Sequence, residues 1–459
     1  MSSRLGVLVS AFVAAAATLA AIDCSSTDIS RRTRVVLITL DTLRLDSLLG
    51  NGEGRRTDMP LTLAWARSAR IFTRYHSATS STQPTHATLF TGLHPWQHGM
   101  SGNTMIFPDH LVTVPALLEE AGFETAAVVA SLPVSATLGF GRGFGRFDER
   151  FEDGKVPGTW KEVSGREDGP YYRLADSVTP RALAELERSS ADRQFLWVHF
   201  YDAHSPYGER TGDGVAWPRL TVEEVNAGRV ERASAVGEAR RLYDADVAFL
   251  DRQLARLLGA LEEDERFETH IVLVSDHGES FGEDDSMAHG KRLTPPQIRV
   301  PLLIRSPAVE AGIDRRIAAT VDLAPTLLTL AGLEAETGLL ANRGGGRALT
   351  RPATGREVAF GMRRTFAEPF HEQRLDGSTY VHDHEVFFRA DSDGSIVRGN
   401  SDFLLKPLPD LGEKTYDLAL GERTKELFRG FEEELGRSRL DGLKVREALE
   451  ALEALGYVN

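Results

Sequence analysis

The sequence predicts an α/β protein: a large, mostly parallel sheet sandwiched by helices, followed by a smaller C-terminal antiparallel sheet-plus-helix domain. Three apolar runs carry that expectation. VVLITL runs into Asp41, FLWVHFY into Asp202 and His204, and IVLVS into Asp276 and His277. Each run is short, rich in β-branched and aromatic residues, and too uniformly apolar to alternate, which is the pattern of a strand buried on both faces. In open α/β sheets ligands sit outside the carboxyl ends of the strands. The runs therefore deliver Asp41, Asp202 with His204, and Asp276 with His277 to one crevice, as a metal-assisted site requires.

The remaining elements follow in chain order. Thr82 to Gly92 reads as a helix with Pro84 in its first turn and Gly92 as its stop. Pro115 to Ala121 reads as a second helix ended by Gly122, with a strand at Thr125 to Ser131. The segment from Gly139 to Tyr172, rich in Gly, Asp, Arg and aromatics, reads as a loop able to fold over the crevice. Pro180 to Ser189 is a helix, and Glu231 to Glu263 carries Leu242, Val247, Leu250, Leu254, Leu257 and Leu261 at helical spacing. Residues 338–356, with Gly344-Gly345-Gly346, mark a linker between residues 34–337 and a C-terminal subdomain, residues 357–459. Within that subdomain Tyr380 to Arg389 and Phe403 to Lys406 read as strands and Glu422 to Leu455 as mostly helix.

Thr82 is the nucleophile candidate. A hydroxyl at a helix N-terminus lies in the positive end of the macrodipole, beside free N–H groups that bind a tetrahedral oxyanion. An isolated Thr-x-Pro is an ordinary cap, and only the neighbouring metal-ligand strand ends change that reading. Asp41, Thr82, Asp276 and His277 are the candidate metal ligands, for one divalent ion. Carboxylates favour Ca²⁺, Mg²⁺ or Mn²⁺, and the histidine leaves Zn²⁺ open. Asp46 reads as a loop or cap residue and His98 as a structural turn histidine, while His76, His94 and His110 read as surface. Asp202 either ligates a second metal or orients His204 from behind, the second being favoured. His289 follows the acidic run Glu283-Asp284-Asp285. It is a proton donor, an anion contact or a loop residue, with the functional readings ahead.

Taken together these residues resemble the sulfatase family within the alkaline phosphatase superfamily, from about Arg34 to the C-terminus. Asp41 matches the metal-binding Asp after the family's first strand. Thr82-Gln83-Pro84-Thr85-His86 with Thr91-Gly92 is similar to its nucleophile motif, Cys/Ser-x-Pro-Ser-Arg before Thr-Gly. Asn103 falls where related hydrolases contact the transferred group, His204 matches the leaving-group histidine, and Ser275-Asp276-His277-Gly278 the second metal pair. Val300 to Arg305, Val321 to Leu328 and Leu455-Gly456-Tyr457-Val458 look like later family segments. The resemblance implies an alkaline phosphatase-like fold.

The departures bear on chemistry. Members oxidise the motif's Cys or Ser to formylglycine, and threonine cannot form that aldehyde. His86 replaces the motif's Arg. The second signature appears as Gly122 to Ala130 without its Lys, Thr42 stands where a second Asp is usual, and His289 stands near a position often held by Lys. A threonine nucleophile is typical of superfamily members acting on phosphate diesters, phosphonates or phospholipid head groups. The expected activity is therefore metal-dependent hydrolysis of sulfate, phosphate or phosphonate esters through Thr82, with His86, Asn103, His204 and His289 assisting. The alternatives are a phospho-group transferase acting on lipid or glycan head groups, and a degenerate binder of sulfated or phosphorylated glycans.

Composition agrees with an exported enzyme acting on a small-molecule, glycan or lipid ester. The chain has 459 residues, 41% of them hydrophobic, and a net charge of −14, which argues against nonspecific nucleic-acid binding. Residues 1–23 read as a signal peptide, with Arg4 ahead of the apolar run Leu5 to Ile22. The single cysteine, Cys24, stands directly after it as a candidate for lipid attachment, although Asp23 is a poor match to a lipobox. Periplasmic or cell-envelope placement follows on either route.

Overall fold

The structure is a computed structural model. It describes residues 32–50, 57–100, 102–153, 161, 164, 169–209, 232–283, 287–290, 292–334 and 345–351, and the backbone of short strands between 358 and 407. The leader with Cys24, part of the Gly139 to Tyr172 segment, most of the linker and the helix expected over Glu422 to Leu455 lie outside the described residues.

β1 (Arg32–Leu40), β5 (Arg193–Phe200) and β6 (Phe267–Ser275) are the three apolar runs, and they lie side by side at the centre of an eight-stranded sheet. The others are β2 (Arg70–His76), β3 (Glu124–Val128), β4 (Arg146–Asp148), β9 (Leu302–Arg305) and β10 (Gly312–Ala319), in the order β10-β2-β9-β6-β1-β5-β3-β4. β1 pairs in parallel with β5 from Thr33↔Arg193 to Leu40↔Phe200. β3 runs parallel to β5 and β4, and β10 parallel to β2, while β9 runs antiparallel to both β2 and β6. Val35, Val36, Leu37, Ile38, Trp197, Val198 and Ile271 to Val274 are fully enclosed, which explains why these strands do not alternate.

Five helices matter for the site or its support: α1 (Thr82–Thr91), α2 (Val114–Glu120), α3 (Ala175–Arg188), α4 (Arg232–Glu263) and α5 (Leu323–Leu330). α1 starts and stops where its sequence directs, with Gly92 at φ +66° taking the left-handed turn that ends it. α3 begins five residues before Pro180, a correction to the start expected at the proline. Its first N–H, on Ala175, is capped by Asp202 Oδ1 at 3.0 Å, and that cap comes from the far side of the sheet sequence. A buried helix end needs such a partner.

The Gly139 to Tyr172 segment is also corrected. Where described, it supplies the edge strand β4. Phe140 is buried, and Phe144 stacks on Phe195 and Trp197 with ring centroids 5.8 Å apart in each case. Among the described residues, Phe140 belongs to the core and Phe144 packs against it. His76 and His94, expected at the surface, are buried, His76 at the end of β2 and His94 at the N-cap of the short helix Pro95–His98. In the C-terminal region β11 (Val358–Arg364), β14 (Glu385–Asp391), β15 (Ile396–Asn400) and β16 (Lys406–Pro407) form a four-stranded antiparallel sheet, as expected. β12 (His371–Gln373) pairs antiparallel with β13 (Thr379–Val381), a second small sheet.

Candidate metal centre and nucleophile

Because β6, β1 and β5 are neighbours, their carboxyl ends open onto one place. Asp41 continues β1, and Asp276 and His277 continue β6. One ligand atom from each of Asp41, Asp276 and His277 lies within 4.8 Å of the other two, and all three residues are buried. His277 Nε2 is 3.7 Å from Asp41 Oδ1 and 3.6 Å from Asp276 Oδ2. The first residue of α1 enters the same place, with Thr82 Oγ1 3.2 Å from His277 Nε2. The four residues expected to hold a metal are thus brought together.

Two backbone features aim Asp276. Its Oδ1 accepts the N–H of His277 at 2.7 Å and the N–H of Thr42 at 3.2 Å. The second bond requires Thr42 to sit at φ +57°, an uncommon conformation for a β-branched residue. Strain of this kind persists only where surrounding structure enforces it, and it concentrates at functional sites. Thr104 and Ala288, beside Asn103 and His289, are the other described non-glycine residues with positive φ.

The carboxylates fit a cation. Both oxygens of Asp41 and Oδ2 of Asp276 are buried without a hydrogen-bond partner. Buried polar atoms are nearly always paired, so three such oxygens converging beside an imidazole mark a built ligand set. The electrostatics agree. Burial first, then Asp276 and Glu279, raises Asp41 well above the usual carboxylate range. Burial likewise pushes Asp276 up to about 6 and His277 down to about 4, leaving the imidazole neutral and able to ligate.

The other expected site residues are distributed around this centre. Asn103 approaches Thr82 through the backbone, its Oδ1 accepting the N–H of Gln83 at 3.0 Å. His86 lies one turn below Thr82, with Nδ1 2.8 Å from the Thr82 carbonyl and 3.8 Å from Asp276 Oδ2, enclosed by Trp197 and Phe140. Its position is therefore beneath the carboxylates, on the core side of them. His204 stacks on Tyr201 with centroids 4.3 Å apart, and His289 lies between His204 and His277, at 4.8 and 4.5 Å from their ring centroids. Asp202 does not orient His204, which is a correction. Its Oδ1 caps α3 and its Oδ2 has no hydrogen bond, whereas His204 Nδ1 lies 2.6 Å from the Ser205 carbonyl. Burial pushes Asp202 up to about 7. His98 is structural, bonded to Thr88 Oγ1 and the Met100 N–H, and Asp46 binds Arg44.

Two residues were missed in the sequence. His199 is the polar interruption in the apolar run of β5. Its Nδ1 is 2.9 Å from Thr39 Oγ1 and its Nε2 is 3.7 Å from Asp41 Oδ2. Trp197 Nε1 donates to the same Thr39 oxygen at 2.9 Å, so this chain of contacts supports Asp41 from the core side. Glu279, two residues past His277 and fully buried, bonds His289 Nδ1 at 3.1 Å. A carboxylate immediately following Asp-His-Gly was the available signal.

A parallel-centred α/β sheet carrying Asp41, Asp276, His277 and a helix-N-terminal hydroxyl at adjoining strand ends belongs to a recognised class. The sulfatase family model matches residues 33–333 of the 459, more than half of the chain, which belongs to that family. Among curated relatives it is 25% identical over 304 residues to the uncharacterized sulfatase YidJ of Escherichia coli (strain K12), covering 55% of this chain and 58% of that protein. It is 28% identical over 136 residues to the choline-sulfatase of Rhizobium meliloti (strain 1021), covering 29% of this chain and 25% of that protein. The chain thus spans little more than half, and a quarter, of those two relatives.

Solved structures share the fold. The phosphonate monoester hydrolase SpPMH from Silicibacter pomeroyi superposes with a TM-score of 0.62 at 19% identity, over 89% of this chain and 95% of that one. The phosphonate monoester hydrolase of Agrobacterium radiobacter gives the same TM-score and identity, over 89% and 96%.

Proposed function

We propose that this chain is a metal-dependent hydrolase of sulfate, phosphate or phosphonate esters that works through a covalent adduct on Thr82. The observation that carries the reading is the position of Thr82 Oγ1. It stands at the N-terminus of α1, 3.2 Å from His277 Nε2, beside carboxylate oxygens that nothing else satisfies. A divalent ion held by Asp41, Asp276, His277 and the Thr82 hydroxyl would act as a Lewis acid and lower the pKa of that hydroxyl.

Thr82 Oγ1, whose proton would pass to solvent once the hydroxyl is held beside the ion, attacks the sulfur or phosphorus in line, forming one bond as the bond to the leaving oxygen breaks. His204 supplies the proton that the leaving oxygen takes up. His289 and the positive end of α1 face the non-bridging oxygens, with Asn103 Oδ1 fixing that end of the helix through the Gln83 N–H. His86 supports Asp276 from below. Water then cleaves the Thr82 adduct. Attack on phosphorus is the easier route for an adduct that cannot collapse to an aldehyde, so phosphate diesters and phosphonates are the preferred substrates. The names of the choline-sulfatase relative and of the phosphonate monoester hydrolase neighbours support these ester classes.

The test is turnover of 4-nitrophenyl sulfate, 4-nitrophenyl phosphate, bis(4-nitrophenyl) phosphate and 4-nitrophenyl phenylphosphonate with Ca²⁺, Mg²⁺, Mn²⁺ or Zn²⁺. Metal-dependent release of nitrophenol, fastest from the diester or phosphonate, is the expected result. Release from none of them under any metal would remove the hydrolase reading and leave a glycan binder. Export through the leader, with or without acylation of Cys24, belongs to the same proposal. The mass of the mature N-terminus checks it, and retention of Met1 would refute it.

A further inference from the structure

We propose that Glu279 is a positioning residue that fixes the orientation of His289, an inference that rests on the hydrolase reading above. Both oxygens of this buried carboxylate are committed: Oε1 lies 3.1 Å from His289 Nδ1, and Oε2 accepts the Tyr207 hydroxyl at 2.7 Å. The two bonds tie the Nδ1 edge of the His289 ring to a side chain that is itself held by Tyr207. The ring so held lies between the His277 and His204 rings, 4.5 and 4.8 Å away by centroid, and its Nε2 donates to an anion's oxygen when the ring carries both protons.

The bonds also place Glu279 between two loops. Tyr207 follows His204 by three residues on the loop after β5, and His289 belongs to the hairpin of β7 (Ser280–Phe281) and β8 (Met287–Ala288) after β6. Arg44 Nη1 donates to the Glu279 carbonyl at 2.7 Å and so holds its backbone. One side chain therefore bonds a residue of each loop, and the Tyr207 bond holds Glu279 in place against His289. Carboxylates that orient an imidazole in this way typically cost 10–100-fold in activity when removed.

The experiment compares Glu279→Ala, Glu279→Gln, His289→Ala and the Glu279→Ala/His289→Ala double variant on 4-nitrophenyl and phenyl esters of the best substrate. Metal content is measured on each protein. Glu279→Ala is expected to lower kcat/KM by roughly 10–100-fold on both esters alike, because the contact is to non-bridging oxygens. Glu279→Gln, whose amide oxygen still accepts from Nδ1–H, should recover most of that loss. The double variant should be no slower than His289→Ala. A loss that multiplies in the double variant, or an amide variant as slow as the alanine, would overturn the proposal.

A readout independent of turnover separates this inference from the proposed activity. Long-range ¹H–¹⁵N spectra of histidine-labelled protein should show His289 protonated at Nδ1, and that signature should be lost in Glu279→Ala. A wild-type His289 protonated only at Nε2 would refute the positioning role even in an active enzyme. The expected spectrum in a protein that turns over none of the esters would sustain it while the hydrolase reading failed.

Discussion

At the scale of single residues, the strongest claim falls on Thr82. In the proposed mechanism its Oγ1 bonds to the substrate, so Thr82→Ala should lower kcat by several orders of magnitude, as removal of a covalent nucleophile does. Thr82→Ser loses only a methyl and should keep measurable activity. Quenched reactions examined by mass spectrometry should show an adduct on the peptide containing Thr82. Near-normal rates in Thr82→Ala would make solvent water the attacking group. Asp276→Ala should abolish metal uptake in calorimetry while circular dichroism stays native, because the carboxylate's hydrogen bonds are to two loop N–H groups, those of His277 and Thr42, and not to the sheet. Which of these residues were legible is instructive. Asp41, Asp276 and His277 stood at the ends of apolar runs and could be read by pattern. Glu279 showed only its place after Asp-His-Gly, because its partners Tyr207 and His289 reach it through folding.

At the scale of elements, the crevice depends on how closely the turn after β6 approaches the short helix Pro295–Ile298. The Gly278 N–H bonds the Gln297 carbonyl at 2.7 Å, and a Cβ built on Gly278 would lie 2.0 Å from the Pro296 carbonyl oxygen. Only glycine allows that contact, and the contact anchors the residue next to His277. Gly278→Ala should therefore destabilise the fold by about 1–3 kcal/mol, as overpacking does, and should also reduce metal occupancy. Calorimetric unfolding and metal analysis of the purified variant check both effects, and wild-type values in both would disprove the anchoring role. The central strands were readable because burial on both faces leaves a continuous apolar run. The start of α3 was not, because its cap is Asp202 on another segment, a tertiary partner that no local pattern shows. The aromatics of residues 139–153 misled for a related reason: a Gly-rich context suggests a loop, yet Phe140 is a core residue and Phe144 packs against the core.

At the scale of the whole molecule, buried ionisable groups of two opposite senses control stability against pH. Burial is the main cause in each case. His277 falls to about 4 and His76 and His98 to about 3, with His86 and His199 also lowered. An unfolded histidine takes a proton near pH 6.5. Acidification below that value therefore protonates the unfolded chain first and removes stability until the folded values are reached. Asp41, Asp276 at about 6 and Asp202 at about 7 work the other way. Without metal, the folded chain keeps protons that the unfolded chain has released, so their contribution is present at low pH and lost as pH rises from about 4 through 6 to 7. A bound divalent ion needs Asp41 and Asp276 ionised, so metal binding must expel those protons and strengthen as pH rises. The difference in Tm between metal-loaded and EDTA-treated protein should therefore widen from pH 5 to pH 7. Calorimetry in buffers of different ionisation enthalpy should show proton release on metal binding at pH 5.5. A Tm difference that stayed constant or narrowed over that interval would mean that Asp41 and Asp276 do not hold the ion.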